Sequence, residues 1–486
     1  MANLLIVSAI LAGAVYYADD TDAFSRRVPS DAQVVVLPGD SVADIVKDSD
    51  EGTVFIFEPG LYRGQSIVPK DNQKFIAKGK AILSGAIVLN EWKRQGKYWV
   101  AEGLPRPLRP HGECIEGYET CIHREDLFVD DRPLRRVSAL ESVGRGSWYY
   151  EGGRAFVTDD PRGAKVELSV LPFAFNGKAK GITIENLIVE KYASQAQSGA
   201  IHGRYGKKWI VKNVTARWNH GLGLFIGDDM QVLGGAYNNN GQMGMAGKGD
   251  NALIDGVQIA YNNYAKFEYD WEAGGFKFDN SRGIVVRNSC VHHNDGVGMW
   301  NDIDNVDTLF ENNKSFENAR VGISQEISYA AVIRNNIVAR NGSQRDGWLW
   351  GSQILVLNSQ NVEVYGNVVE IAPNFGNGIT IIHQDRGSGR YGQYDTKNNH
   401  IHSNKVIHLG KYGRNGWITD FDYEWFEKEA NNRFDRNAYV VPSADIKAWA
   451  IHDRWRTWEY AREHGMEANG TLVVERAEPM ALSCDS

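Results

Sequence analysis

Several things are scarce in this 486-residue chain, and each scarcity excludes something. There is no basic block: 53 Lys and Arg stand against 61 Asp and Glu, a net charge of −8. That argues against a nucleic-acid partner. No apolar run reaches the length of a membrane-spanning helix; residues 4–15 make the longest candidate and are too short. Cysteine is limited to four residues, and none has the spacing of a zinc site. Proline is limited to 13 residues, while glycine reaches 51, a balance that suits turn-rich β structure. Sustained helical periodicity is also missing from the long middle of the chain.

What that middle contains is a ladder. Two or three β-branched or apolar residues, then a polar one, then Asn, Gly or Ser recur from residue 181 to about 406. The phrase reads ITIEN ending at Asn186, IVKN at Asn213, QVLG at Gly234, LIDG at Gly256 and VVRN at Asn288. It continues as LFEN at Asn312, VIRN at Asn335, VYG at Gly366 and IHS at Ser403. The spacings are 27, 21, 22, 32, 24, 23, 31 and 37 residues. Short strands at this interval, with no helices between, predict a parallel β-solenoid in which each repeat is one coil. The Asn at the phrase ends are expected to stack and to bond one another and the backbone.

The organisation around the ladder follows. Residues 1–20 read as an atypical signal peptide, with a small-residue cleavage site at 12–14 but no positive residue before the apolar run. Residues 32–90 read as first coils, 91–175 as a β-rich insertion, 176–410 as the main solenoid and 411–486 as a partly helical covering segment that ends a helix at Gly465. Cys114 and Cys121 are close enough for a local disulfide, which fits a secreted or periplasmic protein. Cys290 lies within a strand phrase and reads as a small core residue.

This plan resembles the right-handed parallel β-helix proteins that act on polysaccharides, the pectate-lyase-like and alginate-lyase-like superfamily. The resemblance rests on GTVFIFEPGLYRG, AILSGA, LFVDDRPL, GSWYYEGGRAFVTDDP and the Asn-bearing coils, and on WEAGGFKF, GVGMWNDIDN and VGISQEISYAAVIRNN. It implies an exported, carbohydrate-active β-helix. No motif carries catalytic residues across one by one.

A site follows from aligning three coils on Gly275, Gly298 and Gly322. Side chains alternate along a strand. Phe276, Phe278, Met299, Asn301, Ile323 and Gln325 should then face inward, with Asn301 and Gln325 as an interior amide pair. Lys277, Asp279, Trp300, Asp302, Asp304, Ser324 and Glu326 should face outward on one sheet. Three stacked carboxylates, Asp279, Asp302 and Glu326, repel one another, which raises a pKa and suits a general acid. Asp302 and Glu326 are the expected catalytic pair, tuned by Asp304, Asp279 and Lys277, with Trp300 supporting a sugar ring. Long insertions around these coils supply Trp271, Trp348, Trp350 and Arg386 as expected substrate contacts, with His383 and Gln384 on the same sheet. His202, Arg204 and Lys248 extend it in earlier coils, where they would meet an anionic sugar.

The pattern favours a glycoside hydrolase with paired carboxylates and no cofactor. The alternative is a polysaccharide lyase with Lys277 as base and Ca²⁺ on Asp279, Asp302 and Glu326. A non-catalytic glycan-binding or surface protein is the third reading. The expected partner is a polysaccharide or oligosaccharide.

Overall fold

The computed structural model describes residues 10–11, 14–15, 32–344 and 347–484. The expected leader at 1–20 lies outside the described residues, apart from two two-residue strands, Ile10–Leu11 and Ala14–Val15, that pair antiparallel. The chain divides into two compact units, Met1–Ala246 with Tyr264–Trp271, and Gly247–Asn263 with Glu272–Ser486. Among the described residues no helix is long and apolar enough to cross a membrane.

In the first unit, parallel pairing begins at Gln33–Val36 and passes through Val54–Phe57 to the long strand Lys74–Ser84. Lys74–Ser84 then pairs parallel with Thr183–Glu190, so the intervening chain leaves the ladder and returns to it one coil later. That excursion is mostly antiparallel, with one short parallel pairing of Arg135–Arg136. Ala86–Val88 pairs Val166–Ser169, and Ser147–Glu151 pairs Arg154–Val157. It carries its own core around Trp99, Leu127, Trp148, Ala155 and Leu168. A buried ion cluster ties it to the coil: Lys191 bonds Glu167 and Asp131, and Arg63 also pairs with Glu167. A charge taken this far from water is tolerated only when paired in this way.

The second unit shows the coil in its clearest form. Each turn has three short strands. The first belongs to the sheet Gly274–Phe278, Val297–Asn301, Ile323–Glu326, Ser352–Leu357 and Asn377–His383, with parallel pairing throughout. The other two follow as, for example, Val285–Arg287 with Cys290–His292 and Tyr329–Arg334 with Ile337–Ala339. Two residues lie between them, and the first is the one that ends each sequence phrase. Asn288, Asn312, Asn335 and Ser403 have φ of 52°, 56°, 55° and 53°, and Gly256 and Gly366 have 68° and 66°. Left-handed backbone costs most L residues about 1–2 kcal/mol, which Asn and Gly largely escape. The repeated Asn/Gly is therefore the corner of the coil. The ladder runs past residue 410, through Arg433–Asp435 and Ala438–Val441 to Thr471–Val474.

The corner residues Asn288, Asn312 and Asn335 stack on successive coils, since Arg287, Glu311 and Arg334 just before them are in register. The bonded amide ladder lies one residue further on, which corrects the expectation for Asn288, Asn312 and Asn335, although the left-handed Asn361, Asn398 and Asn431 do bond one another. Asn313, Asn336, Asn367, Asn404 and Asn437 point inward, each Nδ2 donating to the next Oδ1 at 2.9–3.0 Å. Asn437 ends the chain on Glu467 at 2.6 Å. A second ladder, Asn262–Asn294–Asn318–Asn341–Gln353, runs at 2.8–2.9 Å. The corner side chain of Asn288 instead donates to Asp255.

Both cysteine pairs are closed. Cys114–Cys121 is a disulfide, and Cys290 is bonded to Cys484, 194 residues away. This corrects the reading of Cys290 as a plain core residue. The second bridge fastens the C-terminal segment to the coils, where Glu370 accepts from the Met480 N–H.

Asn336→Ala is expected to lower unfolding stability by about 2 kcal/mol, because the buried Asn313 backbone N–H loses its acceptor and Asn367 Oδ1 and the Phe310 carbonyl each lose a donor. Denaturant melts check this. An unchanged midpoint would mean the ladder contributes nothing.

Candidate active site

The first sheet of the second unit presents its inner face to the core and its outer face to the site. Phe276 stands opposite Met299 and Ile323, and Phe278 opposite Asn301 and Gln325; all are buried inward. Asn301 Nδ2 donates to Gln325 Oε1 at 3.0 Å, the interior amide pair expected from the alternation. Lys277, Trp300 and Ser324 form the opposing outer row. The register runs as read from the three glycines. These glycines are obligatory for a simple reason: a Cβ on Gly275 or Gly298 would collide with the backbone of the next coil.

The outer row carries a compact polar cluster. Lys277 Nζ lies 2.7 Å from Asp302 Oδ2 and 3.1 Å from Glu272 Oε1. The same ammonium sits 4.3 Å from the centre of the Trp300 ring, a cation–π contact. Trp300 Nε1 donates to Glu326 Oε2 at 3.0 Å, and Arg386 Nη1 donates to Glu326 Oε1 at 3.2 Å. Lys277, Trp300 and Asp302 are only 5–7% exposed. The buried Asp302 Oδ1 receives no hydrogen bond from the described residues.

The electrostatics separate the two carboxylates. Burial first, and the Asp302 charge second, push Glu326 up to about 7, against the pull of Arg386 and Lys277. Burial opposes the Lys277 charge, but Asp302 and Glu272 outweigh it and hold its pKa above the ordinary lysine value. Asp302 thus faces a permanent ammonium, while Glu326 can keep its proton near neutrality. A carboxylate paired with an ammonium beside a carboxyl pushed up by burial can serve as a nucleophile and a general acid.

The structure distributes the other expected site residues differently. Asp279 is turned to Lys248 Nζ at 2.7 Å and to Asn280 Nδ2 at 2.8 Å, so the expected column of three carboxylates is reduced to two. Asp304 leaves the row because Ile303 and Asp304 both take left-handed backbone at the end of the strand. Its Oδ1 accepts from the Tyr394 hydroxyl at 2.9 Å and the Arg390 N–H at 3.0 Å. It therefore anchors the hairpin Ser388–Gly389/Gly392–Gln393, which follows Arg386 in the chain. Gly389 is required there, since a Cβ would strike Asp304 Oδ1 and the Tyr394 hydroxyl. Trp348 and Trp350 pack on an apolar patch that includes Trp300, Val321, Leu355 and Leu357, next to the cluster. His383 is buried against Phe421, Trp425 and Phe426, so it packs rather than faces a groove, and burial lowers its pKa. Gln384 Nε2 bonds Asp420. Trp271 belongs to the first unit, where it stacks on Phe267 and meets His111 edge-on. His202 and Arg204, also of the first unit, pack with Phe225.

One member of the cluster escaped the sequence reading. Glu272 lies in the insertion YNNYAKFEYDWEAG, expected only to wall the site with aromatics. It sits two residues before the strand and carries no repeat phase, so nothing in the pattern points to Lys277.

Comparison with known proteins agrees with this architecture. Residues 199–369 match the family model described as the right handed beta helix region, about a third of the chain. No curated protein sequence gives a significant match. Among solved structures, the complex of XylC with xylose superposes with a TM-score of 0.67 at 14% identity, covering 90% of this chain and 83% of that one. An alginate lyase complexed with a trisaccharide gives 0.49 at 11% identity, covering 90% and 88%. The A-module of a mannuronan C-5 epimerase from Azotobacter vinelandii gives 0.48 at 12%, covering 90% and 94%. At these identities the likeness is one of fold, a right-handed parallel β-helix.

Arg386 lowers the Glu326 pKa, so Arg386→Ala should raise it above about 7, and Arg386→Lys should raise it less. Carboxyl-carbon NMR titration measures this directly. A Glu326 pKa that stays put or falls in Arg386→Ala would show that the guanidinium is not its partner.

Proposed function

We propose that the protein is a retaining glycoside hydrolase in which Asp302 is the nucleophile and Glu326 the acid/base. The observation that carries this reading is the different surroundings of two carboxyls at matching positions on adjacent coils. Asp302 is held by Lys277, and Glu326 is pushed up to about 7. Asn301 and Gln325, the residues just before them, are direct partners in the ladder. Opposed side chains on neighbouring strands have Cβ atoms roughly 5 Å apart. Retaining glycosidases separate their carboxyl groups by about 5–5.5 Å and inverting ones by more, so placement on adjacent coils favours the retaining arrangement.

The steps follow from the contacts. Glu326 protonates the glycosidic oxygen as the bond to the anomeric carbon breaks. The uncommitted Oδ1 of Asp302 attacks that carbon and forms a glycosyl ester, while Lys277 holds Oδ2 and fixes the rotamer. Glu326, now ionised, takes a proton from water. The water oxygen displaces Asp302 and releases the sugar. Glu272 shares the Lys277 ammonium and keeps it aimed into the cluster, and Trp300 offers its ring beside both carboxyls.

The fold likeness to a protein solved with xylose favours a pentose substrate class, and the enclosure of Asp302 favours a chain end or short oligosaccharide. Two disulfides favour an oxidising, exported location. The lyase reading is less well supported. Lys277 has a raised pKa and two carboxylate partners, the opposite of a base. Asp279, one of the three oxygen donors that reading assigns to Ca²⁺, is committed to Lys248.

A panel of para-nitrophenyl glycosides, xylosides first, tests the activity. Asp302→Asn and Glu326→Gln should each lower kcat by on the order of 10²-fold or more; Glu326→Gln should leave the melting temperature nearly unchanged, while Asp302→Asn, which leaves the buried Lys277 ammonium with Glu272 alone, should lower it without unfolding the chain. Because Glu326 must be protonated to act first, kcat/KM should hold below pH 7 and fall as pH rises through about 7. EDTA should leave turnover intact. Full activity in both variants, or a calcium requirement with an unsaturated product, would overturn the proposal.

A further inference from the structure

On another sheet of the second unit, away from the carboxyl pair, two coils bring together a carboxylate and two imidazoles. Val362, Val364 and Ile401 point into the core. Their neighbours Glu363, His400 and His402 therefore face outward. Glu363 stands directly opposite His400, and Tyr365 opposite His402. One ligand atom from each of Glu363, His400 and His402 lies within 4.8 Å of the others. Glu363 Oε1 is 3.1 Å from His402 Nε2, and the two imidazole centres are 4.1 Å apart. One further trio with such spacing occurs among the described residues, Cys290, His292 and Cys484, but its sulfurs are bonded to each other.

We propose that Glu363, His400 and His402 form a binding site for a divalent transition metal of the zinc class. Two imidazoles with one carboxylate, and open positions for water, is a donor set that zinc accepts and that calcium and magnesium do not favour. The His-x-His spacing on a strand places both rings on one face, and the preceding coil supplies the third donor. The second layer is built as well. His402 Nδ1 lies 3.2 Å from Ser403 Oγ, which leaves Nε2 on the side of Glu363. The Tyr365 ring stacks flat on His402 at 5.2 Å and 6°, and Arg334, itself held by Glu311, donates to the Tyr365 hydroxyl.

The neighbouring charges come from the next coil. Arg433 stands opposite His400 and Asp435 opposite His402. Arg433 Nε is occupied by Asn431, while Asp435 holds Asn469 and lies 3.8 Å from Arg436. Neither arginine is bonded to the three donors. A metal here would bridge the coil of Glu363 to the coil of His400 and clamp the ladder from outside. The alternative is an imidazolium–carboxylate ion pair between His402 and Glu363 with no metal role.

The test uses the full chain, untagged and stripped of metal. Zn²⁺ added against a chromophoric chelator should bind one per chain and raise the melting temperature by on the order of 2 °C at saturation. Ca²⁺ and Mg²⁺ should do neither. His400→Asn/His402→Asn should abolish both effects, and Glu363→Gln should weaken binding by about tenfold or more. Turnover at the assay temperature should be unaffected by the metal, so the outcome is independent of the hydrolase reading. No saturable Zn²⁺ binding, which would leave the ion pair only, or equal binding by the double variant, would overturn the proposal.

Discussion

In-register parallel pairing between successive coils is the constraint on which the structure depends. A parallel strand cannot slip by one residue without exchanging its core face for its solvent face. Here slippage is blocked twice. The corner residue must tolerate left-handed backbone, which favours Asn or Gly, and the buried amides just beyond the corner bond their equivalents on the next coil as well as backbone carbonyls. Lone buried amides would be costly. Chained ones satisfy each other and specify the stacking.

The cluster around Asp302 and Glu326 is a product of that register. Trp300 stands between Lys277 and Ser324 because the strands align there, and its indole links the Lys277 ammonium to the Glu326 carboxylate. Loops then complete what the coils begin. Glu272 arrives from the turn before the first strand. Arg386 arrives from an insertion anchored on Asp304, so a residue outside the pair supports the loop that brings in a guanidinium. Low exposure strengthens each of these charge interactions relative to water, and burial beside the Asp302 charge pushes Glu326 up.

Much of this was legible because a solenoid repeats its own local rules. The phrase ending in Asn or Gly located the corners, and three glycines set the inner and outer faces, including the Asn301–Gln325 pair. Contacts made outside the repeat were not legible. Cys290 finds Cys484 across 194 residues. Glu272 has no phase, and Asp279 and Asp304 were diverted by Lys248 and by Tyr394, partners that lie on loops. His383 occupies the right sheet, but the aromatic residues of Tyr423–Lys428 and Phe421 close over it. The amide ladder was displaced by one position for a physical reason: the left-handed corner turns its own side chain outward, and the next residue inward.

The central claim is that Asp302 attacks the anomeric carbon while Glu326 manages the proton. Incubating the protein with a fluorinated xylosyl fluoride, which slows breakdown of a glycosyl ester, and mapping peptides by mass spectrometry tests it most directly. The account predicts one sugar per chain, bound to the peptide that carries Asp302, and no adduct in Asp302→Asn. Turnover of xylosides without any covalent adduct, or an adduct on Glu326 or another carboxyl, would contradict it.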